Sequence, residues 1–408
     1  MKELKVYLKF SKTEKIFAGT LAESENRIFF EYAASFLSDP LWLSPYKLPP
    51  KPGLFEHKDK QFGSVFGLFD DSLPDGWGLL LMDRFLRKQG VDIDRLSVMD
   101  RLSFLGEHTM GALIYEPAVK HVKTGSALNL EDLARHSRQI LEGETIDVLP
   151  ELMKAGGSPG GARPKILAGV KNNTLISDKT DLPQGFEHWM IKFNSTDDFP
   201  DAGAVEYAYA GMAKQAGIIM PETRLFEVNS QDRYFGIKRF DRENNRRFHV
   251  HTFGNLIHSN FRYPECDYET FLKVVLDLTK NHKELEKGFR QMIFNVMVNN
   301  RDDHVKNFAF MLNENREWTL TPAYDLTYAK GPGGEHSMSL AGEGSTPGKK
   351  EILRLGEKTG LSPARVLDLI EEVKSAVESW KDFAKTAEVT KQTRNQIEKK
   401  IKENLFFF

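Results

Sequence analysis

"VNNRDDHVKNFAF" spans residues 298 to 310 and places charged and amide side chains between apolar ones. Asp302 and Asp303 are adjacent carboxylates, and Asn307 follows Asp302 by five positions. Phosphoryl transfer needs a carboxylate near the attacking hydroxyl and oxygen ligands for the Mg²⁺ that accompanies nucleotide phosphates. The stretch therefore predicts a loop that presents such groups at the edge of a buried helix.

Three further positions follow the chain order of a protein kinase, whose catalytic loop also has an Asp five residues before an Asn. Asp325 comes after the extended run from Trp318 to Thr321 and predicts a second metal ligand. Lys192 lies on a predicted strand after the glycine-rich loop at 156–161, and Glu206 lies on the next predicted helix as its acidic partner. The alternative, that these carboxylates are helix caps or solvated charges, stays open.

Composition places limits on the class of protein. A chain of 408 residues with 40% hydrophobic residues and 29 Phe is expected to form more than one core. A net charge of -2 gives no overall attraction to nucleic acid or membrane. Cys266 is the single cysteine, which excludes an intramolecular disulfide. The longest apolar runs are shorter than the roughly 20 residues of a membrane span. We expect a cytoplasmic protein without a membrane partner.

A β-rich part precedes an α-rich part. Apolar and polar residues alternate in residues 4–10, and the segments 15–23 and 26–36 follow at hairpin-like distances, which predicts an antiparallel sheet. A helix is predicted within 75–90. After the glycine-rich loop, two strands joined by a turn at Asn172 and Asn173 are predicted, then a third strand at 187–194, a helix from about Ala202 to Gly217 and a β-hairpin within 224–242. Beyond residue 250 the pattern is mostly helical. The predicted domains are 1–118, 119–242 and 243–408.

Several of these motifs resemble the HipA family of bacterial serine/threonine kinases, the toxins of type II toxin-antitoxin modules. They are "GGSPGGARPK", "WMIKF", "GIKRFDR", "NNRDDHVKNFAF" and "TPAYDLTYA". "FGLFDDSLPDGWG" and "DRLSFLGEHTMGALIYEP" are similar to the small domain that precedes the kinase in the long form of the family. The resemblance implies an α+β, protein-kinase-like two-lobed fold, with a β-rich N-lobe, an α-helical C-lobe and an extra N-terminal β-rich subdomain.

The resemblance also implies residue roles. Asp302 would be the catalytic base, Asn307 and Asp325 would bind Mg²⁺, and Glu206 would pair with Lys192. Ser158 matches the serine whose autophosphorylation inactivates the enzyme by repulsion from the nucleotide phosphates. Whether His304 or Lys306 neutralises the transferred phosphate stays open. The ATP-binding residues would be Gly160, Gly161, Ala162, Arg163, Pro164, Lys165, Lys192, Lys238, Arg239, Phe240, His304, Lys306 and Asn307.

By the same resemblance, the substrate would be a translation component such as an aminoacyl-tRNA synthetase. A small helix-turn-helix antitoxin would be the usual partner, with DNA reached only through it. An alternative of a different class is a catalytically inactive, ATP-binding co-repressor in an antitoxin-DNA complex.

Three other motifs suggest different readings. Gly156 to Gly160 match the G-x-S-x-G elbow of serine hydrolases, but Pro159 after the serine has no N–H for an oxyanion hole. Residues 351–373 resemble a helix-turn-helix, although two packed helices give the same spacing, which we favour. The histidines at 249, 251 and 258 are close enough to suggest metal ligation, but we expect them to be surface residues.

Overall fold

A computed structural model describes residues 1–119, 128–144, 152–153, 160–177, 181–195, 199–228 and 232–408. The chain forms two compact units. The first comprises Met1–Asp197, Gly236–His251 and Asn255–His258. The second comprises Asp198–Phe235, Thr252–Gly254 and Ser259–Phe408. The domain boundaries at residues 118 and 242 stay a prediction. In the part of the chain described here, no helix has both the length and the apolar character that crossing a membrane requires.

The strands and helices alternate in blocks along the chain. The strands are β1 Lys2–Lys9, β2 Lys15–Ser24, β3 Arg27–Tyr32, β4 Leu54–Glu56, β5 Leu113–Glu116, β6 Lys165–Lys171, β7 Thr174–Ser177, β8 Glu187–Lys192, β9 Thr223–Glu227, β10 Arg233–Lys238, β11 Arg242–Glu243, β12 Arg246–Arg247, β13 Val250–Thr252, β14 Ala309–Leu312 and β15 Trp318–Leu320. The α-helices are α1 Ala34–Leu37, α2 Gly67–Asp70, α3 Gly76–Lys88, α4 Val98–Leu105, α5 Leu130–Leu141, α6 Ala202–Gln215, α7 Phe253–Ile257, α8 Tyr268–Thr279, α9 His282–Met297, α10 Lys349–Thr359, α11 Pro363–Glu378, α12 Trp380–Thr386 and α13 Lys391–Leu405.

The first unit begins with the predicted antiparallel sheet. Its strand order is β4-β3-β2-β1-β5, and each neighbouring pair is antiparallel. Leu4, Val6 and Leu8 alternate on β1 and are buried, because successive side chains of a strand point to opposite faces. The same unit contains β7, β6 and β8 as neighbours in a second sheet, with β6 antiparallel to both. The turn at Asn172 and Asn173 joins β6 to β7 as predicted, with Asn172 at φ +53°.

The second unit is mostly helical, as the sequence predicts. Phe289, Met292 and Ile293 of α9 are fully buried, which makes α9 a central helix of this unit. The antiparallel strands β14 and β15 follow α9 and pair Phe310 with Leu320. The predicted extended run from Trp318 to Thr321 corresponds to β15.

The pair of helices within residues 351–373 has the predicted turn. Helix α10 ends at Thr359 and is capped by Gly360, which has φ +81°, and the Ser362 side chain accepts a hydrogen bond from Arg365 N at 3.3 Å to cap α11. Leu355 of α10 and Leu369 of α11 are fully buried. Burial of both apolar faces within the second unit supports the prediction that these helices pack as part of the core.

The prediction that the histidines are surface residues is wrong. His249 and His251 are almost completely buried, and the His258 side chain is 5% exposed. Each uses at least one ring nitrogen in a hydrogen bond within the first unit, as buried polar groups generally do. The ring nitrogens of His249 and His251 contact Leu43 O and the Asp71 carboxylate, and His258 Nε2 accepts from Gly67 N at 3.0 Å.

Candidate active site

Helix α9 leads directly into the predicted catalytic loop. The helix ends at Met297, and Asn299 adopts a left-handed conformation with φ +58°, which turns the chain away from the helix axis. Tyr209 donates its hydroxyl to Val298 O at 2.7 Å and so satisfies a carbonyl at the helix end. Asn300 N donates to Asn295 O at 2.9 Å. The polar residues at 299 and 300 therefore serve the helix end.

The two adjacent carboxylates of the loop have different environments. The side chain of Asp302 is 64% exposed, with its Oδ1 atom 4.0 Å from His304 Nε2. The side chain of Asp303 is completely buried. Only Asp302 is therefore accessible to a substrate hydroxyl, as a general base in phosphoryl transfer must be.

Asp303 is a structural centre that the sequence did not identify. Its Oδ2 atom accepts from Tyr268 Oη at 2.6 Å and from His336 Nδ1 at 2.8 Å, while Oδ1 accepts from Ser337 N at 2.8 Å. Burial raises the pKa of Tyr268 well above its ordinary value, and the charge and hydrogen bond of Asp303 act in the same direction. A carboxylate with three donors is the form in which a buried charge is tolerated.

Asn307 closes the loop onto Asp302. Its Nδ2 atom donates to Asp302 O at 2.5 Å, which leaves Oδ1 as the atom that a cation would take. A 3-10 helix, Val305–Asn307, sets this position, and the His304 side chain caps it by accepting from Lys306 N at 3.2 Å. The structure thus brings Asp302 and Asn307 together.

Asp325 is tied to the same region through its neighbours. Asn300 Nδ2 donates to Asp325 O at 3.3 Å, and Tyr324 Oη donates to Lys306 O at 2.7 Å. Asp325 itself has φ +53°, a left-handed conformation that a non-glycine residue rarely adopts. Strained backbone of this kind concentrates at functional sites. Oxygen ligands such as the Asp325 carboxylate and the Asn307 amide fit Mg²⁺.

Phe261 is a site residue that the sequence analysis missed. The centroid of its ring lies 5.4 Å from the centroid of the His304 ring and 4.9 Å from Lys306 Nζ. Such contacts restrain the imidazole and the ammonium group beside Asp302. The only signal in the sequence is an aromatic residue within the polar segment at 259–265, which is too weak to indicate a role.

The described part of the glycine-rich loop is bound to the start of α3 in the first unit. Gly161 N donates to the Asp75 carboxylate, and Trp77 N donates to Gly161 O at 3.0 Å. Trp77 Nε1 donates to Lys165 O at 3.1 Å, and Lys165 Nζ donates to Gly160 O at 2.6 Å. Gly160, Gly161 and Ala162 are exposed, with Arg163 partly buried and Pro164 buried. Ser158 and the rest of the G-x-S-x-G motif before Gly160 lie outside the described residues.

Two buried lysines face each other behind this loop. Lys165 on β6 and Lys192 on β8 are partners in the antiparallel register, with exposures of 4% and 7%. Directly opposite residues lie on one face of a sheet, so two ammonium groups share that face. Glu206 is buried on α6 of the second unit, and its ion pair with Lys192 stays a prediction.

The predicted ATP-binding residues Lys238, Arg239 and Phe240 begin at the last residue of β10. Arg239 N donates to His188 O at 2.8 Å, and Lys238 forms an ion pair with Glu187. The guanidinium of Arg239 is buried against Asp241, so only its backbone fits the predicted role, and Phe240 is partly exposed. Burial raises the pKa of Asp241, but the charges of Arg239 and Arg242 outweigh it and hold that pKa far below its ordinary value.

Comparisons with known proteins agree with these motifs. The HipA-like C-terminal domain family matches residues 157–380, more than half of the chain, and the HipA N-terminal domain family matches residues 11–116. A Haemophilus influenzae protein named "Putative kinase" is 28% identical over 197 residues, covering 45% of this chain and 55% of its own length. A "Putative kinase" of Sinorhizobium fredii is 24% identical over 202 residues, covering 45% and 49%. The chain spans about half the length of these curated relatives.

Among solved structures, the fold is similar to that of HipA from Shewanella oneidensis MR-1, which was solved with HipB and its operator DNA. The TM-score is 0.73 at 15% identity, over 99% of this chain and 98% of that one. This likeness confirms the predicted fold class. Because family models match both the N-terminal region and more than half of the chain, the chain belongs to the HipA family.

Proposed function

We propose that the chain is an ATP- and Mg²⁺-dependent serine/threonine protein kinase, with Asp302 as the catalytic base. The observation that carries the proposal is the contrast between an exposed Asp302 carboxylate and a buried, hydrogen-bonded Asp303 in one loop. A base must reach the hydroxyl proton of its substrate, and the exposed carboxylate meets that condition.

Metal binding by Asn307 and Asp325 is supported by their neighbourhood in the second unit. Asn307 contacts Asp302 O directly, and Asp325 is held by Asn300 of the same loop. These two residues would hold Mg²⁺, whose positive charge would offset that of the nucleotide phosphates during transfer. His304 and Lys306 are the cationic candidates for neutralising the transferred phosphoryl group.

Nucleotide binding is supported by the first unit. Lys165 and Lys192 are partners in the β6–β8 register and place two ammonium groups on one buried face of the sheet, a cationic surface that suits nucleotide phosphates. Gly160 and Gly161 are exposed and lie in the loop just before β6, the strand that begins with Lys165. We therefore assign the α and β phosphates of ATP to Lys192, the loop at 160–165 to the phosphates, and the backbone at 238–240 to adenine.

The substrate and the partner are assigned from the family. The HipA of Shewanella oneidensis MR-1 was solved with HipB, so we propose a small helix-turn-helix antitoxin as the partner of this chain, with DNA bound only through it. We propose a translation component, such as an aminoacyl-tRNA synthetase, as the substrate. Phosphorylation of Ser158 would inactivate the enzyme, because its charge would repel the nucleotide phosphates.

Transfer of radiolabel from the γ-phosphate of ATP tests the proposal. Label should enter the wild-type chain with Mg²⁺ and fail to enter it with EDTA or in the Asp302→Ala variant. Asp277→Ala is the matched control, because Asp277 is an exposed carboxylate of the same unit, paired with Lys280, and should leave labelling unchanged. Loss of label in Ser158→Ala would locate the autophosphorylated residue.

Two results would count against the proposal in different ways. Wild-type labelling in Asp302→Ala would show that Asp302 is not the base. No transfer by the wild-type chain, combined with measurable ATP binding, would favour the inactive co-repressor. Phosphoproteomics of cells that express the wild-type chain, compared with cells that express Asp325→Ala, would identify the substrate protein.

A further inference from the structure

The segment from Ala329 to Thr346 lies between the predicted metal ligand Asp325 and helix α10, and it is bonded to Arg301 at several points. Arg301 N donates to Ala329 O at 3.3 Å, while Arg301 O accepts from Ser337 N at 3.2 Å and from Ser337 Oγ at 3.0 Å. Its guanidinium donates to Gly334 O and, through Nη2 at 2.8 Å, to Ser345 O. Arg301 directly precedes Asp302.

Asp303, which directly follows Asp302, is bonded to the same segment. Its two carboxylate oxygens contact His336 Nδ1 and Ser337 N, both at 2.8 Å. A carboxylate only accepts hydrogen bonds, so Nδ1 of His336 must carry the proton. Both neighbours of the exposed Asp302 are therefore held by residues 329–346, from backbone and side chain alike.

We propose that Arg301 and Asp303 are positioning residues that hold the Asp302 carboxylate through the 329–346 segment. The inference rests on the proposed function, since it concerns the placement of its catalytic base. Kinase activation segments are commonly ordered by phosphorylation, which creates new pairs between arginine and the phosphate. Here the guanidinium of Arg301 donates hydrogen bonds to carbonyl oxygens of the 329–346 segment. The segment is therefore ordered without a phosphate.

The position of the Asp302 carboxylate should have a measurable effect on the rate of phosphate transfer. Asp302 has a largely exposed side chain, so packing around that side chain contributes little to its position. Its location depends on the backbone, which Asn307 Nδ2 holds at Asp302 O and which Arg301 and Asp303 hold on either side. A displacement of about 1 Å in a reacting group lowers the rate by about a hundredfold. Loss of the Asp303 contacts should therefore act on the catalytic step more than on ATP binding.

The Asp303→Asn variant tests the inference. An asparagine places an NH₂ group against at least one donor that Asp303 now accepts from, so the segment should detach from the loop. We expect kcat for phosphate transfer to fall by about a hundredfold, with KM for ATP changed by less than about twofold. Hydrogen exchange should become faster in residues 329–346, while α9 stays protected.

Two milder variants keep the test valid if Asp303→Asn fails to fold. Tyr268→Phe removes one of the three donors to Asp303, and Ser337→Ala removes the hydroxyl bond to Arg301 O. Each should lower kcat less than Asp303→Asn, in step with the faster exchange of the segment. Asp277→Ala again serves as the control, because it should change neither quantity.

Two outcomes overturn the inference alone. One is an unchanged kcat in variants whose 329–346 segment exchanges faster. The other is a lower kcat without any change in exchange, which would give Asp303 a direct chemical role. If the wild-type chain transfers no phosphate at all, the proposed function fails first, and the positioning role fails with it.

Discussion

Acidification should destabilise this protein through a histidine that the sequence did not mark as buried. His249 is 1% exposed, and its Nε2 atom lies 2.9 Å from Leu43 O. Burial lowers the pKa of His249 from 6.5 to about 4, against the opposite effect of the hydrogen bond to Leu43 O. The folded state therefore binds fewer protons than the unfolded chain between pH 6.5 and pH 4.

The sign and size of the effect follow from linkage. Stability rises with pH wherever the unfolded chain binds more protons, so the contribution of His249 is present above pH 6.5 and is lost as the pH falls toward 4. Between pH 7 and pH 5, a shift of this size corresponds to a loss of about 2 kcal/mol in the free energy of unfolding.

The His249→Gln variant separates this contribution from those of the other ionisable groups. The glutamine Nε2 can occupy the place of the imidazole Nε2 and donate to Leu43 O, but it does not titrate. Urea unfolding at pH 7 and pH 5 should show the variant losing about 2 kcal/mol less than the wild-type chain. Equal losses, to within about 0.5 kcal/mol, would refute the assignment of acid sensitivity to His249.

Two further variants test close packing and buried charge. In urea unfolding, Gly331→Ala should destabilise the folded protein more than Gly333→Ala. Both glycines have a positive φ, which costs an alanine about 1–2 kcal/mol. Only at Gly331 would the added Cβ atom also lie 2.0 Å from Glu335 O. Equal losses would show that this contact relaxes freely. Asp241→Asn should cost about 3–5 kcal/mol in the same assay, because it removes the carboxylate that pairs with the buried guanidinium groups of both Arg239 and Arg242. A loss below about 1 kcal/mol would contradict this account.

Local sequence patterns were sufficient to predict most of the strands and helices of the first unit. The alternation of Leu4, Val6 and Leu8 predicted β1, and the spacing of apolar residues within 75–90 predicted α3. Strand β14 was not predicted, because its four residues are all apolar and show no alternation that would identify a strand. The histidines were misplaced because a polar local sequence does not reveal partners such as Leu43 O, which lies 206 positions away.

The catalytic loop shows the same limit more sharply. The spacing from Asp302 to Asn307 is a local property, so the sequence alone could suggest that pair. In the structure the two residues are connected by the hydrogen bond from Asn307 Nδ2 to Asp302 O. The burial of Asp303 depends on Tyr268 and His336, which lie 35 and 33 positions away in opposite directions. No local pattern contains that information.

The long-range contacts also bear on which carboxylate performs the chemistry. Neighbouring residues in a non-helical chain tend to direct their side chains apart, so one of two adjacent aspartates can be buried while the other stays exposed. For Asp303 to act as the base, its carboxylate would have to leave Tyr268, His336 and Ser337 and expose these donors. Leaving a buried donor unsatisfied costs about 1–3 kcal/mol, and three would be left. Asp302 can meet a substrate without losing any of these bonds, which favours it as the base on grounds that do not depend on motif spacing.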